Sequence, residues 1–234
     1  MPRQFALLPA AGVGARMGAG HPKQYLDIHG HPLLWHAIRA FDDHPAIAWV
    51  FVVLSAEDGC WEGYDWTGFS RLTVLRCGGS SRAESVLNGL RAMAADAQGV
   101  DAEDWVLVHD AARPCLSRHL LDKLMNELAD DPVGGILAAP VADTLKREGK
   151  GEGQAGRIRE TVSRERLWGA QTPQMFPHGL LTRALVQAGT AVTDEASAVE
   201  ALGLSPRLVE SDLTNLKVTY PRDLEVAAWL LGRA

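Results

Sequence analysis

Residues 7 to 26, LLPAAGVGARMGAGHPKQYL, set two cations, Arg16 and Lys23, in a glycine-rich stretch directly after an apolar run. Backbone N–H groups in such a stretch can cradle phosphate oxygens, and two cationic side chains can approach the same anion from different directions. The pattern is not that of two common phosphate loops. A dinucleotide-binding turn is G-x-G-x-x-G running straight into a helix. Gly12 and Gly14 fit it, but Met17 stands where the third glycine permits close helix-to-strand packing, and Pro22 interrupts before any helix begins. A Walker loop needs Gly before the lysine and Ser or Thr after it, whereas Lys23 lies between Pro22 and Gln24. What remains is a long loop, with a good helix start only at Pro32; loops of that length inside compact domains are usually functional.

Two further stretches stand out. Asp110 ends the apolar run WVLVHD, at the mouth of an expected buried strand, where a carboxylate can cap the next segment. Its neighbour His109 reads as a packing residue. In GGSSRAESV, residues 78 to 86, a strand-to-helix turn is expected, with Ser81 as the cap of the following helix. No Ser/His or Cys/His pair with a carboxylate stands out.

These groups need a scaffold. Apolar runs at 5–10, 48–55, 72–77, 105–110 and 134–141 read as buried strands, mostly separated by helical spacing at 33–41, 83–95 and 120–128. Continuously apolar strands alternating with helices predict a Rossmann-like α/β/α sandwich with a mostly parallel sheet. Ligands bind such sheets outside the carboxyl ends of the strands, so loops 9–31, 77–82, 109–114 and 140–144 are expected to converge. DTLKREGKGEGQAGRIRETVSR, residues 143 to 164, alternates polar and apolar residues around a glycine-rich tip, the pattern of a β-hairpin arm. An isolated hairpin is marginal in water, so the arm is expected to pack on a second subunit. Helices at 178–188 and 195–202, the strand RLVES and a helix from Pro221 complete a single domain over residues 1–234.

The bulk numbers agree with such a domain. The chain has 234 residues, 47% hydrophobic and 22% charged, enough to bury a core without metal or disulfide support. Cys60, Cys77 and Cys115 form no CxxC pair, and a reducing cytoplasm is the expected compartment. A net charge of −6 argues against broad nucleic-acid binding. No stretch approaches the ~20 apolar residues of a membrane span, and the N-terminal apolar run is too short for a signal peptide.

PAAGVGARMG followed by PKQYL resembles the signature of the cytidylyltransferases that make 4-diphosphocytidyl-2-C-methylerythritol in the non-mevalonate isoprenoid pathway. The resemblance continues through GGSSRAESV, VHDAARP, APVADTLK, TVSRERLWGAQTPQMF, TDEASAVE and NLKVT, nearly the whole chain in order. It implies transfer of CMP from CTP to 2-C-methyl-D-erythritol 4-phosphate with release of pyrophosphate. Arg16 and Lys23 match the residues acting at the α-phosphate, and Arg164 and Lys217 those positioning the incoming phosphate. Asp110 matches the Mg²⁺ ligand, with Asp212 a weaker possibility for the same metal. Ala10, Ala11, Gly12, Gly14, Gly79, Ser80, Arg82, Ser85 and Ala111 are the implied CTP contacts, and Arg113, Thr144, Thr172 and Thr193 those of the second substrate. The resemblance also implies a homodimer in which the arm, about residues 143–168, brings Thr144 and Arg164 to a neighbour's site. Two departures are the unusually glycine-rich tip and Ser163, which stands where the family often has an acidic residue.

A phosphate monoester has its second pKa near ~6, so the nucleophile is already an oxyanion at neutral pH and needs no general base. Charge repulsion and in-line alignment remain to be solved. Alternatives are a ribitol 5-phosphate cytidylyltransferase and a non-catalytic nucleotide-binding regulator on the same fold. Some family members are fused to a later cyclodiphosphate synthase; this sequence, ending at Ala234 after its last helix, is expected to carry the transferase alone.

Overall fold

The computed structural model describes residues 2–12, 22–150, 155–189 and 192–233. In chain order it contains β1 Gln4–Pro9, β2 Asp27–Ile28, β3 His31–Pro32, α1 Leu33–Asp42, β4 Ile47–Val53, β5 Leu72–Leu75, α2 Arg82–Ala95, β6 Trp105–Val108 and α3 Arg118–Leu128. It continues with β7 Gly135–Pro140, β8 Leu145–Glu148, β9 Ile158–Val162, β10 Trp168–Pro177, α4 His178–Ala188, α5 Glu195–Glu200, β11 Arg207–Glu210 and α6 Pro221–Leu231.

Seven strands form one sheet in the order β11-β7-β10-β6-β1-β4-β5. Successive side chains of a strand point to opposite faces, and β1 supplies both. Ala6 and Leu8 pack with Leu34, Phe41, Leu121 and Leu124 of α1 and α3. Phe5 and Leu7 pack with Val86, Leu90, Leu181 and Val199 of α2, α4 and α5. The sheet is thus covered on both sides, which is why its strands read as continuous apolar runs. A smaller cluster of Ile28, Leu33, Val218 and Ala227 seats α6 on the β2–β3 hairpin. No helix among the described residues is long and apolar enough to cross a membrane.

One central strand lies outside the sequence expectations. β10 runs antiparallel to both neighbours, β6 and β7, while the remaining pairs in the sheet are parallel. β10 is the return of a long hairpin: the chain leaves the sheet at the end of β7, forms the separate pair β8–β9, and re-enters as β10. The Val141 N–H donates to the Leu167 carbonyl at 3.1 Å, joining the arm to the β7–β10 ladder. Inserting β10 also moves the end of β7 two strand spacings, roughly 10 Å, from β6. Loop 140–144 consequently leads into the arm instead of reaching the crevice that the other three loops form.

Candidate active site

The crevice is a cavity of about 400 Å³ at the carboxyl ends of β1, β5 and β6. Crossovers from β1 run one way to β4 and β5, and the chain then returns to place β6 on β1's other side. Such a reversal opens a gap between neighbouring strand ends. Ala10, Ala11, Gly12, Lys23, Gly79, Ser80, Arg82, Ser85, Asp110, Ala111 and Lys217, all selected from the sequence, line it together with Pro9, Gln24, Ser81 and Ala112.

At its centre Asp110, largely buried, is held between two cations. Arg82 Nε donates to Oδ1 at 2.9 Å and Lys217 Nζ to Oδ2 at 2.6 Å. Burial by itself would raise the Asp110 pKa, but Arg82 and Lys217 outweigh it and hold the carboxyl well below the usual carboxylate range. Arg82 in turn places its terminal nitrogens on Glu195 at 2.7 and 3.0 Å. Burial acts against the guanidinium charge, yet Glu195 and Asp110 more than restore it and push the Arg82 pKa up. The result is a fixed chain of alternating charges, Glu195–Arg82–Asp110–Lys217.

Backbone elements fix each member. Asp110 directly follows β6, and its N–H donates to Thr172 Oγ1 at 3.0 Å. Thr172 reaches it because β10 carries a register shift between Ala170 and Gln174, a bulge that re-aims side chains. Thr172 Oγ1 also meets His109 Nδ1 at 3.1 Å, and His109 Nε2 lies 3.0 Å from the Arg113 carbonyl. His109 is fully buried against Phe41, and burial lowers its pKa to about 4. It is a neutral packing residue, as its position suggested. Lys217 is pinned from both sides: Asn215 Nδ2 donates to Gln171 Oε1 and the Thr172 carbonyl, and the Val218 N–H donates to the Ala112 carbonyl. Arg113 is buried and donates to the Asn215 carbonyl at 2.6 Å.

The two glycine-bearing loops are equally constrained. A Cβ on Gly78 would lie 2.4 Å from Ala11 Cβ and 2.9 Å from the Leu54 carbonyl, so only glycine fits this approach. Ser81 caps α2 by accepting from the Glu84 N–H, while Ser85 Oγ accepts from the Gly79 N–H and donates to the Ser81 carbonyl. Ser80 gives both its N–H and its hydroxyl to Glu84 Oε2. Lys23 opens a short 3₁₀ turn, Lys23–Tyr25, anchored by Gln24 Nε2 on the Ala10 carbonyl and by Tyr25 Oη on the Asp58 carboxylate. Tyr64 stacks on Tyr25 and donates to its carbonyl. The β4–β5 connection therefore helps hold the turn that carries Lys23.

The family model of IspD, 2-C-methyl-D-erythritol 4-phosphate cytidylyltransferase, matches residues 4–233. The chain belongs to this family. It is 57% identical over 230 residues to the 2-C-methyl-D-erythritol 4-phosphate cytidylyltransferase of Thiobacillus denitrificans, spanning 98% of this chain and 97% of the relative. The enzyme of that name from Dechloromonas aromatica is 57% identical over 232 residues, covering 99% and 98% of the two chains. Among solved structures, a crystal structure of 4-diphosphocytidyl-2C-methyl-D-erythritol synthase superposes with a TM-score of 0.86 at 42% identity, covering 99% of both chains.

Not every residue implied by the family pattern meets in this cavity. Thr144 and Arg164 are exposed at the base of the arm, and Thr193 is exposed just before α5, its hydroxyl on Ser197 Oγ. None of the three lines the cavity. Asp212 is likewise exposed and binds its carboxylate to the Thr214 N–H. Gly14 and Arg16 lie outside the described residues. Conversely, Glu195, Gln171 and Asn215 were not singled out from the sequence. An acid at a helix start reads as an ordinary partner of the helix dipole; the capping box of Asp194 and Ser197 that the structure shows is a local signal that could have marked the place.

The donor set around Asp110 suits a hard divalent cation in one way only. No group of three His, Cys, Asp or Glu side chains that could hold a metal occurs among the described residues. Asp110 nevertheless retains oxygen lone pairs beyond those engaged by Arg82 and Lys217. One carboxylate with phosphate oxygens and waters is a common Mg²⁺ environment.

Proposed function

We propose that this chain transfers CMP from CTP to the phosphate of 2-C-methyl-D-erythritol 4-phosphate. A phosphate oxygen of the alcohol phosphate attacks the α-phosphorus, the bond to the β-phosphate oxygen breaks, and pyrophosphate leaves with 4-diphosphocytidyl-2-C-methyl-D-erythritol as product. The observation that carries the site assignment is that Lys23, Arg82, Lys217 and Asp110 line one cavity at the strand ends, with Arg82 and Lys217 paired to Asp110.

In this reading the cavity binds the nucleotide. The loops at 10–12 and 79–85 with Ala111 receive base and ribose, and Lys23 together with Arg16 neutralises charge on the transferred phosphoryl group. Such preorganised donors act where charge develops, in a partly dehydrated cleft. Lys217, fixed by Asn215 and Val218, holds the incoming phosphate beside Asp110. Asp110 would hold Mg²⁺, which would supply neutralisation of phosphate charge there.

Arg113, Thr172 and Thr193 belong to the second-substrate side. Arg113 and Thr172 are buried, which favours a role in shaping the wall behind Asp110. Thr144 and Arg164 act in a neighbouring subunit's cavity, and the chain works as a homodimer joined through the β8–β9 arm. Support for this comes from the arm's exposed Ile158 and Leu167 and from its lack of pairing with the main sheet. A cytoplasmic location is favoured by three free cysteines.

Pyrophosphate release tests the assignment. The expected result is turnover with CTP and methylerythritol phosphate, dependent on Mg²⁺, and little with UTP or ATP. Faster turnover with ribitol 5-phosphate would instead assign the chain to wall-polymer precursor synthesis, with fold and chemistry unchanged.

A further inference from the structure

Glu195 is the member of the charge chain that the reaction does not visibly need. Its side chain is almost wholly buried, 1% exposed, and both of its oxygens accept from Arg82. Its placement is rigid. Asp194 caps α5 by accepting from the Ser197 N–H, and Gln174 ties the same turn to β10 by donating to Asp194 Oδ2 and accepting from the Ala196 N–H. Arg82 would satisfy Asp110, and be satisfied by it, without a second carboxylate; burying one more is costly unless it has a task.

The task follows from the guanidinium fork. Arginine presents five N–H donors and favours two parallel bonds to a single carboxylate. Here the terminal nitrogens are committed to Glu195, and Asp110 receives only Nε at 2.9 Å. We propose that Glu195 is a positioning residue that keeps Arg82 from clamping Asp110 and so leaves Asp110 oxygen lone pairs open to the divalent cation. This rests on the reading of Asp110 as the metal's carboxylate. Glu195 touches neither substrate nor metal; it acts through Arg82.

The test uses the full chain and Mn²⁺ as a paramagnetic probe, titrated by electron paramagnetic resonance in the presence of CTP, with calorimetric CTP binding in metal-free buffer alongside. Replacing Glu195 by Gln keeps the shape and removes the charge. Expected is Mn²⁺ affinity about tenfold weaker, the low end for loss of an outer-shell partner, with metal-free CTP affinity within about twofold of the parent chain. Damage to the scaffold would weaken both, and that result overturns the proposal, as does unchanged Mn²⁺ affinity. The double variant Arg82→Gln/Glu195→Gln removes both charges and guards against misfolding of the single one. If Glu195 acts through Arg82, adding E195Q to an R82Q background changes Mn²⁺ affinity less than about twofold; a further tenfold loss refutes it. Asp110→Asn separates the underlying reading: unchanged Mn²⁺ affinity there removes Asp110 from the metal site and the proposal with it, whereas loss in D110N but not in E195Q rejects Glu195 alone.

Discussion

The cavity between β1 and β6 and the β8–β9 arm both carry residues that the family pattern assigns to the reaction, but they are built in opposite ways. Around the cavity Arg82, Asp110 and Lys217 are held by opposite charges, and the supporting hydrogen bonds come from β10, α5 and the segment at 215–218. On the arm, Thr144 and Arg164 are exposed, and the flanking pairs, such as Arg147 with Glu160 at 2.5 Å, are exposed as well. A preorganised site needs buried support. Among the described residues the arm gives Thr144 and Arg164 no such support. In the proposed reading, nucleotide binding is prepared within one chain and the second-substrate side is completed by another.

Replacing the cavity cations should have the largest effect. Lys23→Ala and Lys217→Ala are each expected to lower kcat by ~100- to 1000-fold, read by pyrophosphate release. A loss below about tenfold in both would mean that the cavity is not where charge develops.

Next is the buried wall behind Asp110. His109 has its pKa lowered to about 4 from 6.5, so between these values the unfolded chain binds more protons. Stability from this group is present above pH 6.5 and is lost as pH falls toward 4, by roughly 3 kcal/mol. Urea unfolding across this range should show the slope in the parent chain and a flattened one in His109→Gln.

Gly78→Ala forces a Cβ against Ala11 and the Leu54 carbonyl. A stability loss of roughly 1–3 kcal/mol is expected, with a raised KM for CTP and a smaller change in KM for the alcohol phosphate. Equal changes in both KM values would erase the division between the two halves of the site.

The smallest stability effect belongs to the arm. Ile158, 65% exposed, should tolerate Ile158→Asp within about 0.5 kcal/mol in chemical denaturation of the separated chain. The same change should shift sedimentation from dimer to monomer. A fully dimeric I158D chain would show that the arm is not the joint.

Much of this was legible in the sequence because buried strands and amphipathic helices follow one period each. β1, β4, β5, β6 and β7, with α1 to α3, fall within a few residues of their expected bounds. β10 escaped because Gly169, Pro173 and Pro177 and the bulge after Ala170 break the alternation that marks a strand. The same bulge delivers Thr172 to Asp110, so the feature that hid the strand also builds the site. Asp110, Lys23 and Lys217 stood out through strand-end position or motif. Glu195 and Asn215 did not, since their roles depend on contacts across 113 and 43 residues that no local pattern encodes.

The division between the two regions is tested most directly by subunit complementation. Lys217→Ala disables the cavity and Arg164→Ala the arm, and each homodimer alone should be nearly inactive. Unfolded together in equal amounts and refolded, random pairing places one intact cavity facing one intact arm in half of the dimers, so about a quarter of the parent activity should return. Activity no higher than that of either single variant would place Arg164 in its own chain's site and contradict the account.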